Sequence, residues 1–370
     1  MRHSFIAVIL FIFLIPARLY SQDLSNKSAM FDTTGLKFHL YSSAFFDNKE
    51  FTSDIKKGYT YPGFFIQPRV EYNPSSRTSI SGGFHTLYFA GADSVEMFVP
   101  VLTFKYLMTD KINFILGTIE SKDRHFLPEP LYKPERLTVY HPETGVQFLA
   151  KTDRFKGDLW INWERYIKNK SPFQEIFTLG ISGIYSIKPF EKTSSFYFPF
   201  HALGEHHGGQ ILAVAKTVTS LANFGGGIGY NFYDEENTNF GIESLFLFFK
   251  DISPNPHYVY KSGNAIYPKI YIKGLSYKLD IGLWKSTGFV NPKGEELFGS
   301  LSTVDSTLNQ KDRNLITVNY IYQKLVAKGF TVEFRFDVYY DYKPSIFDYS
   351  YTFRMVFDDS FLLNKNRTKN

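Results

Sequence analysis

In "FHALGEHHGGQ" (200–210), His201, Glu205 and His207 fall on one parity of an extended chain, while His206 falls on the other. Imidazoles and a carboxylate in one row are the material of a metal site or a general base. An extended chain rises about 3.3 Å per residue, which separates His201 from Glu205 by roughly 13 Å. His201 and His207 therefore cannot share one ion. Glu205 and His207, about 7 Å apart, would need ligands from another element. The four residues read as the polar rim of a strand ending at Gly208-Gly209, and no metal is assigned to them.

Signatures of other membrane hydrolases are absent. The chain holds no His-x-Ser-Asn-Gly segment of phospholipase type, no Gly-x-Ser-x-Gly elbow, no His-Glu-x-x-His run and no phosphate loop. In "NFGGGIGYNF" (223–232), Asn223, Gly225, Gly227, Gly229 and Asn231 alternate with Phe224, Ile228, Tyr230 and Phe232. That is a strand with a bare inner face against which a loop can fold, not a nucleotide cradle. The expectation is a protein that is not an enzyme and carries no cofactor. A membrane hydrolase built around His201, Glu205 and His207 is the lesser alternative.

The elements that would position these residues are strands. In "TVEFRFDVYYD" (331–341), Glu333, Arg335 and Asp337 alternate with Phe334, Phe336 and Val338. The same two-residue period places Arg69 and Glu71, Asp158 and Glu164, Lys278 and Asp280, and Arg354 opposite apolar faces. Sixteen such segments run from 36 to 358, most of them longer than an ordinary soluble strand of about 5–6 residues. Their connections sort by parity. The long ones, 49–59, 121–142, 207–217, 251–264 and 288–312, all follow odd-numbered segments, and even-numbered segments end in mostly tight turns.

Short turns on one side and long loops on the other are the asymmetry of bacterial outer-membrane barrels. Backbone polar groups cannot go unpaired in hydrocarbon, so a non-helical membrane chain must close into a barrel with an apolar outer face. The fold class is therefore all-β, a transmembrane antiparallel β-barrel of about sixteen strands with short periplasmic turns and long extracellular loops. "MRHSFIAVILFIFLIPARLYSQD" has the layout of a signal peptide, its core too short to span a bilayer. The expected organisation is a signal peptide over 1–21, a periplasmic segment over 22–35, a barrel over 36–358 and a polar tail over 359–370. Without a cysteine, the exported chain must be held by packing and backbone pairing alone. A formal charge of +5 with no basic stripe excludes a nucleic-acid partner.

At this architectural level the mature chain resembles Gram-negative outer-membrane barrels. "YSQD", "LPEPLY", "PETGVQF" and "HHGGQ" look like those of uncharacterised Bacteroidota barrels. The last strand, with Tyr351, Phe353, Met355 and Phe357, is similar to the signal read by the barrel-insertion machinery. It departs from that pattern because thirteen residues follow Phe357.

The expected function is a porin-like channel for passive diffusion of small hydrophilic solutes. Its pore-lining candidates are Arg69, Glu71, Asp158, Glu164, Lys278, Asp280, Glu333, Arg335, Asp337 and Arg354. Loop 121–143 holds four prolines and is stiffened by them. It resembles in position the constriction loop of general porins, which would make His125, Glu129, Glu135 and Arg136 the constriction candidates; the alternative is a loop that lies over the rim as a lid. Porins of this size are usually trimers, and no trimer face is legible in the sequence. The alternative is a non-conducting assembly or adhesion component that works through its outer loops.

Overall fold

The computed structural model describes residues 30–365, apart from 34, 140, 191–193, 214–215, 234–237 and 257. The proposed signal peptide lies outside the described residues. The strands are β1 (Gly35–Glu50), β2 (Tyr59–Ser75), β3 (Thr78–Phe89), β4 (Met97–Thr109), β5 (Ile112–Thr118), β6 (Thr144–Lys151), β7 (Phe155–Arg165) and β8 (Glu175–Ser186). They continue with β9 (Ser195–Gly208), β10 (Thr219–Tyr233), β11 (Asn239–Asp251), β12 (Ser262–Lys273), β13 (Tyr277–Thr287), β14 (Asp312–Ala327), β15 (Phe330–Asp341) and β16 (Ile346–Lys365). Each pairs antiparallel with its chain neighbours, and β1 pairs with β16 to close a sixteen-strand barrel.

Alternation decides which face each residue takes. On β2, Phe64, Ile66, Val70 and Tyr72 are exposed on the outside, while Phe65, Gln67 and Asn73 are buried inside. The outer surface is thus an apolar band suited to lipid, and the inner surface carries the polar groups. Closure leaves no unpaired strand edge, which hydrocarbon would not tolerate.

The polar tail expected from 359 does not begin there. β16 continues to Lys365, because β1 pairs with it as far as Gly35↔Lys365 and Leu36↔Asn364. Ending the strand at 358 would leave the first residues of β1 without a partner on the β16 side.

The long-loop end of the lumen is filled by chain. Phe51 and Ile55 of loop 51–58, Ile119, Leu127, Leu131 and Tyr132 of loop 119–143, and Phe289, Val290, Leu297 and Phe298 of loop 288–311 fold inward. There they pack into one apolar cluster with the wall residues Trp160, Leu245, Trp284 and Tyr339. The loops also bond to each other: Lys133 N donates to Lys293 O at 3.0 Å, Glu295 N to Glu129 O at 3.0 Å and Thr303 N to Ile55 O at 2.8 Å.

The glycine strip of β10 is only partly covered by a loop. Asn223 Nδ2 donates to Val290 O at 2.8 Å. The space beside Gly225, Gly227 and Gly229 is taken by Leu247, Leu245 and Tyr197, which belong to the neighbouring strands.

Candidate functional site

Two regions gather chemically competent side chains, one inside the barrel and one on its outer face. Inside, loop 119–143 turns at Arg124, His125 and Phe126, all three in the left-handed region with φ of 57°, 53° and 56°. For residues with a Cβ this conformation costs roughly 1–2 kcal/mol each, so surrounding contacts must hold it. The His125 ring is fully buried and stacks on Trp160 with centroids 4.0 Å apart. Its Nδ1 lies 2.8 Å from Asp158 and its Nε2 3.1 Å from Glu143. Arg136 and Tyr132 also donate to Glu143.

Burial alone would lower the His125 pKa, but the hydrogen bonds to Asp158 and Glu143 outweigh it and raise the value to about 9. Burial would raise Glu143, and the His125 bond with the Arg136 charge brings it down to about 2. The imidazolium is therefore a charged rivet between loop and wall. Its stabilisation is fully present below the ordinary value of 6.5 and is lost as pH rises through about 9. That window corresponds to about 3 kcal/mol of loop docking. Limited proteolysis should show cleavage within 119–143 appearing between pH 8 and 10 (about one unit either side of the His125 value) and not at pH 6. Unchanged resistance at pH 10 would refute the rivet.

The other constriction candidates are held inside the lumen too. Glu129 accepts from Arg335 at 3.3 Å and from Tyr339, and Glu135 accepts from Tyr59. Lys56 ties loop 51–58 to Glu295 at 2.9 Å and Glu296 at 2.6 Å. Burial and the neighbouring Glu296 charge raise Glu295 against the pull of Lys56, whereas Lys56 and Lys133 lower Glu296 against its burial.

All ten pore-lining candidates point inward, and most are engaged. Arg335 pairs with Asp337 at 2.7 Å, Lys278 with Asp280 at 2.6 Å, and Arg354 Nε lies 3.6 Å from Glu333. Glu164 meets Lys293 at 2.8 Å, Asp158 meets His125, Glu71 accepts from Asn73 at 3.1 Å, and Arg69 lies 2.9 Å from His39.

The histidine row divides as its parity requires. His201 is buried on the inner wall of β9, opposite Gly225. Glu205 and His207 face inward at the rim, 2.6 Å apart, and Lys293 reaches Glu205 at 3.0 Å. No group of three or more His, Cys, Asp or Glu able to hold a metal occurs among the described residues.

His206 faces out, on the parity of the lipid-facing Phe196 and Phe198. Its cross-strand partners are Phe177 on β8 and Ser220 on β10. His206 Nδ1 lies 2.8 Å from Ser220 Oγ, and the Phe177 ring lies 4.9 Å from the imidazole. Ser220 is fixed through its backbone: its N–H donates to Ser253 Oγ at 2.9 Å, and its carbonyl accepts from Ile252 N at 2.9 Å. A Cβ placed at Gly208 would overlap His206 Nε2, so glycine there makes room for the ring. A hydroxyl within hydrogen-bond reach of an imidazole is the core of a nucleophile–base pair. Sequence reading noted the parity of His206 but missed Ser220, because only the β9–β10 register brings the two together.

A model of the family described as Lipid A 3'-O-deacylase-type matches residues 26–366. This overturns the expectation that the chain is not an enzyme, which rested on the absence of local hydrolase signatures. No curated protein matches the chain. Similar solved structures include OccAB2 of Acinetobacter baumannii, with TM-score 0.51, 10% identity and coverage of 89% of this chain and 100% of that one. The outer membrane protein opdK from Pseudomonas aeruginosa has TM-score 0.51 and 10% identity, covering 88% and 99% respectively. The loop L8 deletion mutant of OmpT, an outer membrane protein of Vibrio cholerae, has TM-score 0.50 and 12% identity, covering 88% and 100%. These likenesses establish the outer-membrane barrel fold.

Proposed function

The chain belongs to the Lipid A 3'-O-deacylase-type family, and from that premise we propose that it is an ester hydrolase that removes an acyl chain from an outer-leaflet lipid at its lipid-facing wall. The observation that carries this reading is the 2.8 Å contact between His206 Nδ1 and Ser220 Oγ on the outer face at the long-loop end. In the mechanism, His206 accepts the Ser220 proton as Oγ attacks the ester carbonyl, and the departing alcohol takes that proton. Water then cleaves the acyl-serine, releasing a fatty acid and restoring the hydroxyl.

The surroundings suit a lipid with a charged head. Trp163, exposed and donating to Glu175 at 3.0 Å, and Phe177 form an aromatic ledge beside His206. On the same face Gly208 makes room for the His206 ring, and Gly204 lies beside the exposed Leu179, which offers an apolar surface for an acyl chain. Lys250, exposed opposite Ala222, sits diagonally across from Ser220 at roughly 7–8 Å between Cα atoms.

The test is release of fatty acid from lipid A in mixed micelles, followed by mass spectrometry. The wild type should release it. Gly208→Val, which drives the imidazole off Ser220, should cut the rate by roughly a hundredfold while leaving heat-modifiability intact. No release from lipid A or from a simple long-chain ester by the folded wild type would sink the reading. A second reading, passage of small hydrophilic solutes through the lumen, draws on the polar cavity beneath loop 119–143. It requires the packed loops above that cavity to move.

A further inference from the structure

Below loop 119–143, on the short-turn half of the barrel, lies a cavity of about 500 Å³ that the lipid-facing site does not use. Its roof is the start of that loop, including Glu120, Lys122 and Asp123, and its wall is the inner face of β1, β2 and β4 to β7. Arg69, Lys105, Lys122, Lys151 and Lys156 bring five cations, against the carboxylates of Glu120, Asp123 and Asp358. Lys105 is matched by Glu120, and Lys122 by Asp358 at 2.6 Å.

Lys151 and Lys156 have no carboxylate partner, although Lys156 Nζ lies 4.8 Å from the centre of the Phe190 ring. They face each other directly across β6 and β7, both on the inward parity, and neither makes an ion pair among the described residues. Like charges directly opposite on a sheet are destabilising, so this pair costs stability when the cavity holds only water. Across the cavity, Gln67 is 1% exposed and its Oε1 has no hydrogen-bond partner, and Arg69 Nε is likewise buried and unpartnered. Arg69 Nε is an idle donor, costly in a low-dielectric recess unless an acceptor arrives, and Gln67 Oε1 is an idle acceptor. Flipping the Gln67 amide about its last side-chain bond exchanges Oε1 for the NH₂ group, and an anion in the recess favours that orientation because only it donates.

We propose that this cavity is a binding site for a small anion carrying two or more negative charges, bridging Lys151 and Lys156 on one wall and Arg69 and Gln67 on the other. The cavity lies under the roof of loop 119–143 in the short-turn half of the barrel, so its ligand would come from the periplasmic side and not from the outer leaflet. This inference does not depend on the hydrolase reading.

The test uses the full chain in detergent micelles with inorganic pyrophosphate, and with citrate to separate phosphate from carboxylate chemistry. Isothermal titration should give one saturable site for at least one probe, weakening as salt rises. Arg69→Gln should weaken it roughly tenfold or more, the loss of one hydrogen bond to a charged group. Thermal unfolding supplies a readout that folding defects cannot mimic. The double variant Lys151→Gln/Lys156→Gln should unfold at a higher temperature than wild type without ligand, and pyrophosphate should raise the midpoint of wild type only. Absence of saturable binding with both probes, or an equal pyrophosphate shift in wild type and double variant, would overturn the site.

Discussion

Ser220→Ala should abolish release of fatty acid from lipid A, with a rate loss of roughly 10³-fold or more, and leave the barrel intact. The serine hydroxyl is the acyl acceptor in the proposed mechanism, and among the described residues no other hydroxyl is hydrogen-bonded to His206. Ser220 faces out, opposite to Leu221 of the apolar cluster inside the barrel, and the strand is held there by backbone bonds to Ile252 and Ser253 that alanine keeps. His206→Ala should cost a similar factor, and the double variant little more than either single one, because the two residues act as a unit. A second discriminating readout is covalent labelling. A long-chain fluorophosphonate should modify Ser220 in wild type and fail with either variant. Full activity in Ser220→Ala would move the chemistry elsewhere, most directly to the inward rim of Glu205 and His207.

His125→Ala should release loop 119–143 from the lumen. The substitution leaves Asp158 and Glu143 buried without the imidazolium between them, a loss of about 3–5 kcal/mol for a broken buried ionic cluster. It also removes the stack on Trp160 and leaves an alanine in left-handed backbone at φ 53°. The expected result is protease cleavage within the loop at neutral pH, and single-channel conductance several-fold above that of wild type. Deletion of 124–138 should do the same. The triple variant His125→Leu/Glu143→Gln/Asp158→Asn separates the causes, since it removes the charges together and should lose much less docking energy than His125→Ala. Wild-type protease resistance in His125→Ala would show that the apolar cluster alone holds the loop. Unchanged conductance after loop release would remove the remaining support for a diffusion path.

These two experiments address different faces of one wall, and the sequence reached them unequally. Alternation determined the barrel. Side chains on a strand change face at every residue, so "TVEFRFDVYYD" and its fifteen counterparts state which residues meet lipid and which meet the lumen. Loop lengths determined which end carries the long connections, because a hairpin turn and a functional loop differ in length whatever the side chains. The stiffness of loop 119–143 was legible in its prolines, but its place after β5 left two courses open, into the lumen or over the rim as a lid.

Only the tertiary structure decided the rest. His125 and Asp158 are 33 residues apart, and whether they meet depends on how a loop packs against a wall. The three loops bury Leu127, Leu131, Phe289, Leu297 and Phe298 together, and no period in the chain announces a core shared among loops. The pairing of His206 with Ser220 and of Lys151 with Lys156 is a matter of strand register. A shift of one residue between β9 and β10 would bring a neighbour of opposite facing to His206. Alternation gives each residue its face, but register is set by the whole closed ring of hydrogen bonds, and that ring is a property of the barrel and not of any one strand.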